Sequence, residues 1–300
     1  MRAFVPGIYP RSEALVQATR DRDRGRTTIE AVDGQVAADL DAFVAAQRDA
    51  GLDLLADGML RWQDVFRPLV EAAAGLEPGP LTRFLDTNTF YRAPRVVGEP
   101  RLPQPLDDRY VSPLDGPRLV TLPSPYAFAL GSGTDPRTLA ERVLKPQLDA
   151  LPRDVELVVL SEPFLGREPN PELDELSEAL AALDDDRIVL QLPFCDAAPL
   201  FERRLAELPV GGVGIDFYAT IADAVPEGFD KLLLAGVVDA RSSLLEDPRD
   251  IGAFAAQLER RSERVALVPN GDLQFVSDPV AREKVRRLGR ARTAAVEEAA

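Results

Sequence analysis

Eight short apolar runs, each closed by glycine, proline or a polar residue, recur along this chain with amphipathic stretches between them. They cover residues 3–8, 52–56, 119–122, 157–160, 188–192, 212–215, 232–238 and 265–268. The runs are continuous rather than alternating, as expected of parallel strands buried on both faces. The intervening stretches 36–50, 63–74, 136–151, 171–183, 197–208, 218–225, 248–260 and 279–299 carry helical spacing. Three helix starts read Asp-Pro, at Asp135-Pro136, Asp247-Pro248 and Asp278-Pro279. There the aspartate caps free N–H groups and the proline occupies the first turn. Eight strand–helix units predict an α/β chain folded as a single (β/α)8 TIM barrel over residues 1–300, without a second domain.

One segment breaks the rhythm. Residues 77–118 are rich in proline and carry Arg83-Phe84-Leu85-Asp86-Thr87-Asn88-Thr89-Phe90-Tyr91-Arg92-Ala93-Pro94-Arg95. Connections beyond about 12–15 residues in a compact domain serve a function or stay disordered. The aromatic and β-branched residues favour order, so an excursion between the second and third strands, a hairpin over the barrel mouth, is expected.

Composition narrows the chemistry. The chain has no histidine, which removes the commonest metal ligand and the commonest general base near neutral pH. Its single cysteine, Cys195, rules out an intramolecular disulfide and a cysteine-rich zinc site, and suits a reducing cytoplasm. Fifty acidic against 35 basic residues give a net charge of −15, which disfavours nucleic acid as a partner. No segment approaches the ~20 apolar residues that span a bilayer, and the start has no signal-peptide run, so neither a membrane nor export is expected. The expected location is the cytoplasm.

Barrels of this kind build their sites just after the strands. The residues there are Tyr9-Pro10-Arg11, Asp57-Gly58-Met59, Pro123-Ser124-Pro125, Ser161-Glu162-Pro163, Pro193-Phe194-Cys195, Asp216-Phe217, Asp239-Ala240-Arg241 and Pro269-Asn270-Gly271-Asp272. Carboxylates crowd this rim, and a small-molecule site at the mouth is the expectation. Trp62, between Arg61 and Asp64, reads either as a stacking platform or as a helix-start anchor. Interleaved charges at residues 20–26 read as a solvated face, and the basic residues of the last helix as charges favoured near a helix C-terminus, with Glu283 offering local pairing, in place of a nucleic-acid patch.

In order and spacing, Pro6-Gly7-Ile8-Tyr9-Pro10-Arg11, Asp57-Gly58, Leu122-Pro123-Ser124-Pro125-Tyr126, Leu160-Ser161-Glu162-Pro163, Gly236-Val237-Val238-Asp239 and Pro269-Asn270-Gly271-Asp272-Leu273 resemble the catalytic barrel of cobalamin-independent methionine synthase. The resemblance covers almost the whole chain and extends to the superfamily that includes uroporphyrinogen decarboxylase. It implies methyl transfer from a folate-type or corrinoid donor to homocysteine or a related small thiol, with zinc making the thiolate. The family's zinc ligands fall on Pro193, Cys195, Asp216 and Gly271, so two of four are missing. Met59 stands where the family has a substrate-holding glutamate, and Ser161 begins what the family has as Asp-Glu-Pro.

The resemblance therefore places Glu162, Cys195, Asp216 and Asp239 nearest the chemistry. Tyr9, Arg11, Asp57, Arg61, Asp64, Tyr91, Arg92, Tyr126, Ser161 and Asn270 are expected around a small-molecule substrate. No metal and no tightly bound cofactor are expected; a site rebuilt from Cys195, Asp216 and Asp272 is the alternative, and a folate-type donor enters as substrate. Thr89-Phe90-Tyr91-Arg92-Ala93-Pro94 resembles the segment beside that donor, although Phe90 and Tyr91 also suit packing the loop down. Two functions stay open. One is an S-methyltransferase; the other is a zinc-less barrel that binds the donor and partners a separately encoded zinc-bearing homologue.

Overall fold

A computed structural model describes residues 1–169, 171 and 173–299, with side chains described to residue 295 apart from residues 170 and 172. Its strands in chain order are β1 (Arg2–Ala3), β2 (Ala74–Arg83), β3 (Phe90–Arg101), β4 (Arg118–Pro123), β5 (Val155–Ser161), β6 (Ile188–Leu192), β7 (Gly212–Asp216), β8 (Leu232–Val238) and β9 (Val265–Pro269). Seven of these form one parallel sheet in the order β1-β9-β8-β7-β6-β5-β4. Every residue of β6, β7, β8 and β9 is buried, which is why their sequences are unbroken apolar runs.

The first two runs depart from expectation. β1 stops after two residues because Pro6 has no N–H to donate and Gly7 turns into the left-handed region at φ 83°. Run 52–56 forms no continuous ladder; Leu55 alone bridges Arg118 in parallel. Its backbone nevertheless reaches both edges of the sheet. Asp53 N–H donates to Ala3 O at 2.9 Å, Leu55 N–H to Pro117 O at 2.9 Å, and Leu119 N–H to Leu55 O at 2.9 Å. What the hydrogen bonds establish is a parallel seven-stranded sheet with one bridging segment, in place of eight equal strands.

Helices α1 (Glu13–Asp23), α2 (Ile29–Asp49), α3 (Arg67–Ala72), α4 (Pro125–Ala129), α5 (Pro136–Leu139), α6 (Lys145–Asp149), α7 (Leu173–Leu183), α8 (Ala198–Glu202), α9 (Pro248–Glu259) and α10 (Asp278–Ala299) surround it. A π-helical turn at Ala140–Leu144 joins α5 to α6. Side chains of Ser12, Thr28, Ser124, Asp135 and Asp247 cap their helices. The charged stretch at 20–26 ends α1, as a solvated helix end. The expected helix at 218–225 is absent: only a 3-10 turn at Ala222–Ala224 forms. Asp216 takes the Tyr218 and Thr220 N–H groups at its start, and Pro226 bars the residue before it from continuing a helix.

The excursion is a hairpin. β2 and β3 pair antiparallel, from Ala74↔Arg101 to Arg83↔Phe90. Its far end lies over the carboxyl ends of the parallel strands, where Phe84 and Tyr91 meet Phe164, which follows β5, and Phe84 stacks on Phe275, which follows β9, at 5.8 Å. Gly75 lets its two legs touch, since a Cβ there would fall 2.3 Å from Glu99 O.

Candidate functional site

The residues expected nearest the chemistry do gather at the carboxyl ends of β5 to β8, but their polar atoms are largely committed to holding turns. Glu162 is fully buried. One carboxylate oxygen accepts from the Ser124 hydroxyl and from Ala127 N–H at 2.9 Å; the other accepts from Phe164 N–H at 3.0 Å and Leu165 N–H at 2.9 Å. Burial raises its pKa and these four donors oppose the rise. Glu162 thus caps α4 and the turn after β5. Ser161 passes its carbonyl to Ser124 N–H at 2.9 Å, and Tyr126 lies in the helix so anchored, half-buried.

Asp216, at the end of β7, is 1% exposed. Its Oδ1 accepts from Tyr218 N–H at 2.8 Å and from Asn270 Nδ2 at 3.1 Å, while its Oδ2 has no partner among the described residues. Asn270 is fixed in turn by Ala240 N–H, which donates to its Oδ1 at 2.8 Å. Burial raises the Asp216 carboxyl, with the Asn270 hydrogen bond opposing. Asp239 caps its own turn by accepting from Arg241 N–H at 3.0 Å. The Cys195 thiol packs over Gly166 and lies 3.8 Å from Leu192 O. Burial, then the charges of Asp216 and Glu162, push it up to about 12. Such a thiol stays protonated at neutral pH and is no nucleophile.

The locus that the resemblance assigns to zinc is filled by hydrocarbon. Phe194, between Pro193 and Cys195, sits at φ 61° and lays its ring against Gly271. A Cβ at Gly271 would fall 2.3 Å from that ring, so no cysteine fits there while Phe194 stays. The Arg241 guanidinium covers the ring at 4.4 Å, and Phe275 meets it edge-on at 5.5 Å. Among the described residues no three His, Cys, Asp or Glu side chains stand close enough to hold a metal ion. The unpartnered Asp216 Oδ2 is one donor without companions, and a thiol held neutral is a poor ligand. Asp272, the third member of the rebuilt alternative, is turned onto Gly7 and held by Ile8 N–H at 3.3 Å and Gln274 Nε2 at 3.0 Å. The residues present do not fit zinc.

The remaining expected substrate-binding residues divide into two groups. Asp64 ties the hairpin to the mouth: its Oδ1 accepts from Phe66 and Arg67 N–H at 2.9 and 2.8 Å, and its Oδ2 from Arg92 N–H at 3.1 Å. Burial raises its carboxyl. Arg92 donates from Nη1 to Gly79 O at 3.0 Å, inside the hairpin. The Tyr91 ring lies among Phe66, Phe84 and Phe164 at 5.5, 6.2 and 5.8 Å. Phe84, Tyr91, Phe164 and Phe275 are half-buried, so together they present aromatic surface at the centre of the mouth.

The second group lies to one side, where a cavity of about 490 Å³ is lined by Tyr9, Arg11, Trp62, Gln63, Gln274 and Asp278, among others. Tyr9 stacks on Phe43 at 3.9 Å, and burial with the Asp278 charge raises its hydroxyl. Arg11 donates to Trp62 O at 2.6 Å. Trp62 is an anchor, 2% exposed, with Nε1 donating to Tyr110 O at 2.9 Å. Arg61 pairs with Asp33 at 2.5 Å, and Asp57 spends its oxygens on Met59 and Ser112 N–H at 2.9 and 3.0 Å. Sequence reasoning placed Phe194 at the rim and Phe84 in the excursion without assigning either a role, and did not single out Phe164 or Phe275. The one signal available was the glycine at 271, where the resemblance places a cysteine, in a chain with a phenylalanine at 194.

No family model matches the chain. Among curated proteins it is similar to 5-methyltetrahydropteroyltriglutamate–homocysteine methyltransferases. That of Halalkalibacterium halodurans is 26% identical over 68% of the chain, that of Ralstonia pickettii 27% over 77%, and that of Acidiphilium cryptum 29% over 71%. The chain spans 30%, 36% and 31% of their respective lengths. Among solved structures, a B12-independent methionine synthase from Shewanella sp. W3-18-1, in complex with selenomethionine, superposes with a TM-score of 0.74. It covers 91% of each chain at 14% identity. A Listeria monocytogenes chain assigned as a vitamin-B12-independent methionine synthase gives 0.67 over 98% of this chain and 97% of its own, also at 14% identity. Among the described residues no helix is long and apolar enough to cross a membrane.

Proposed function

This chain is a relative of the cobalamin-independent methionine synthases, and from that premise we propose that it is the donor-binding kind of barrel in that family's methyl-transfer chemistry, without a thiol-activating centre of its own. The observation that carries the reading is the Phe194 ring against Gly271, under Arg241. Thiol alkylation at neutral pH needs a thiolate, and zinc supplies it in the family. Here Cys195 is held protonated, Glu162 is saturated by four donors, and Asp216 stands without a second metal ligand.

The same folding that removes the metal site builds an aromatic surface. Phe84, Tyr91, Phe164 and Phe275 suit the face of a flat pterin, and Arg241, resting on Phe194, suits an acidic tail. Backbone bonds from run 52–56 to β1 and β4 support a closed ring beneath that surface, with Leu55 as the link that completes it. The thiol substrate and its activation belong, in this reading, to a homologous zinc-bearing barrel in the cytoplasm.

Reconstitution tests the proposal. The purified chain is expected to bind 5-methyltetrahydrofolate saturably, to make no methionine from that donor and homocysteine, and to raise the donor occupancy or turnover of an added zinc-bearing methionine synthase. Methionine formed by the chain alone would overturn it, as would failure to bind the donor.

A further inference from the structure

Where the stretch 218–225 forms a single turn in place of a helix, the flank of α9 beside it is left uncovered and a cavity of about 300 Å³ opens. Its walls are Phe217 and Tyr218 from the turn after β7, Val237 of β8, and Ile251 and Phe254 of α9. Its rim carries Glu246, Asp247 and Asp250. Phe217 and Phe254 meet edge to face at 5.3 Å, which fixes the aromatic wall. The far side is just as rigid. Glu246 accepts from Asp239 N–H at 2.8 Å and from the Tyr218 hydroxyl at 3.1 Å, and is paired at 2.8 Å with the fully buried Lys284.

That pairing neutralises Glu246 but leaves the other two acids. Asp247 caps α9 through Arg249 N–H, and neither Asp247 nor Asp250 enters an ion pair among the described residues. Tyr218, 54% exposed, presents its ring at the opening. Aromatic faces attract cations through their quadrupole, and two uncompensated carboxylates on a chain of net charge −15 add to that field. An anion would be repelled, and a neutral apolar molecule would gain nothing from the rim. The volume is at the small end of ligand sites, which limits the guest to a compact molecule.

We propose that this cavity is a binding site for a small organic cation: an apolar body against Phe217, Val237, Ile251 and Phe254, with its ammonium group between the Tyr218 ring and the carboxylates of Asp247 and Asp250. The site lies between β8 and α9, shares no lining residue with the aromatic surface of Phe84, Tyr91, Phe164 and Phe275, and does not rest on the function proposed above.

The test uses the full chain and three benzyl probes in calorimetric titrations: benzyltrimethylammonium, benzyl alcohol and benzoate. The cation is expected to bind one per chain, about 10-fold more tightly than the alcohol, a ratio within the range of a desolvated ammonium over aromatic faces, with no binding of benzoate. Asp250→Asn, at an exposed position that leaves the core intact, and Phe254→Leu should each weaken the cation several-fold while leaving the alcohol nearly unchanged for Asp250→Asn. Equal affinity for cation and alcohol would overturn the proposal. So would binding that survives both substitutions, or no binding of the cation.

Discussion

Asp272 shows how a side chain that looks catalytic in sequence answers to packing. It follows β9 at the mouth, yet its carboxylate lies over Gly7, where a Cβ would fall 2.1 Å from Oδ1. Burial raises its pKa from 3.8 to about 6 against the hydrogen bonds from Ile8 and Gln274. A raised carboxyl is one that the folded state keeps protonated while the unfolded state has released its proton. Folding stability therefore falls as pH rises from 3.8 toward 6, and no more is lost above that. Asp272→Asn should remove this dependence. The variant is expected to be about 3 kcal/mol more stable than the parent at pH 7.5, with the gap closing near pH 4, as read by urea denaturation across pH.

At this scale the sequence was legible in residue type and opaque in commitment. That Glu162, Asp216 and Asp239 crowd one rim follows from strand ends and could be read directly. That Glu162 is spent on four donors could not be, because those donors lie 38 to 2 residues away and meet only after folding.

Among the elements, the hairpin β2–β3 covers the carboxyl ends of the strands through Phe84 and Tyr91. Its pairing supplies its own ladder, but its position depends on Asp64, which caps α3 with one oxygen and holds Arg92 N–H with the other. Removing the carboxylate should loosen both ends together. Asp64→Ala is expected to cost about 1–2 kcal/mol in stability, within the range for a lost cap. Hydrogen exchange should show faster exchange across residues 90–95 while β5 to β8 stay protected; uniform exchange across the chain would contradict this.

The hairpin was legible because an excursion rich in aromatic and β-branched residues has few other ordered solutions. The helix expected at 218–225 was misread because periodicity carries no record of Asp216 capturing the first N–H groups, nor enough weight for Pro226.

Over the whole molecule, the repeating apolar runs specified the parallel sheet and its order, since continuous burial leaves few other arrangements. Closure was the less legible part, because Pro6 and Gly7 cut the first strand to two residues and leave the second run bonded by single links. If those links close the ring, the Asp53 and Leu55 amides should exchange as slowly as those of β6. Rapid exchange there would leave an open sheet.

The central claim of the proposed function is that the Phe194 ring lies where the resemblance places a metal, so that this chain has no means of activating a thiol. Its most direct test is the zinc content of the protein purified from zinc-supplemented medium, measured by plasma mass spectrometry after dialysis. The account predicts zinc far below one ion per chain. One zinc retained per chain, and lost on Cys195→Ser, would contradict it.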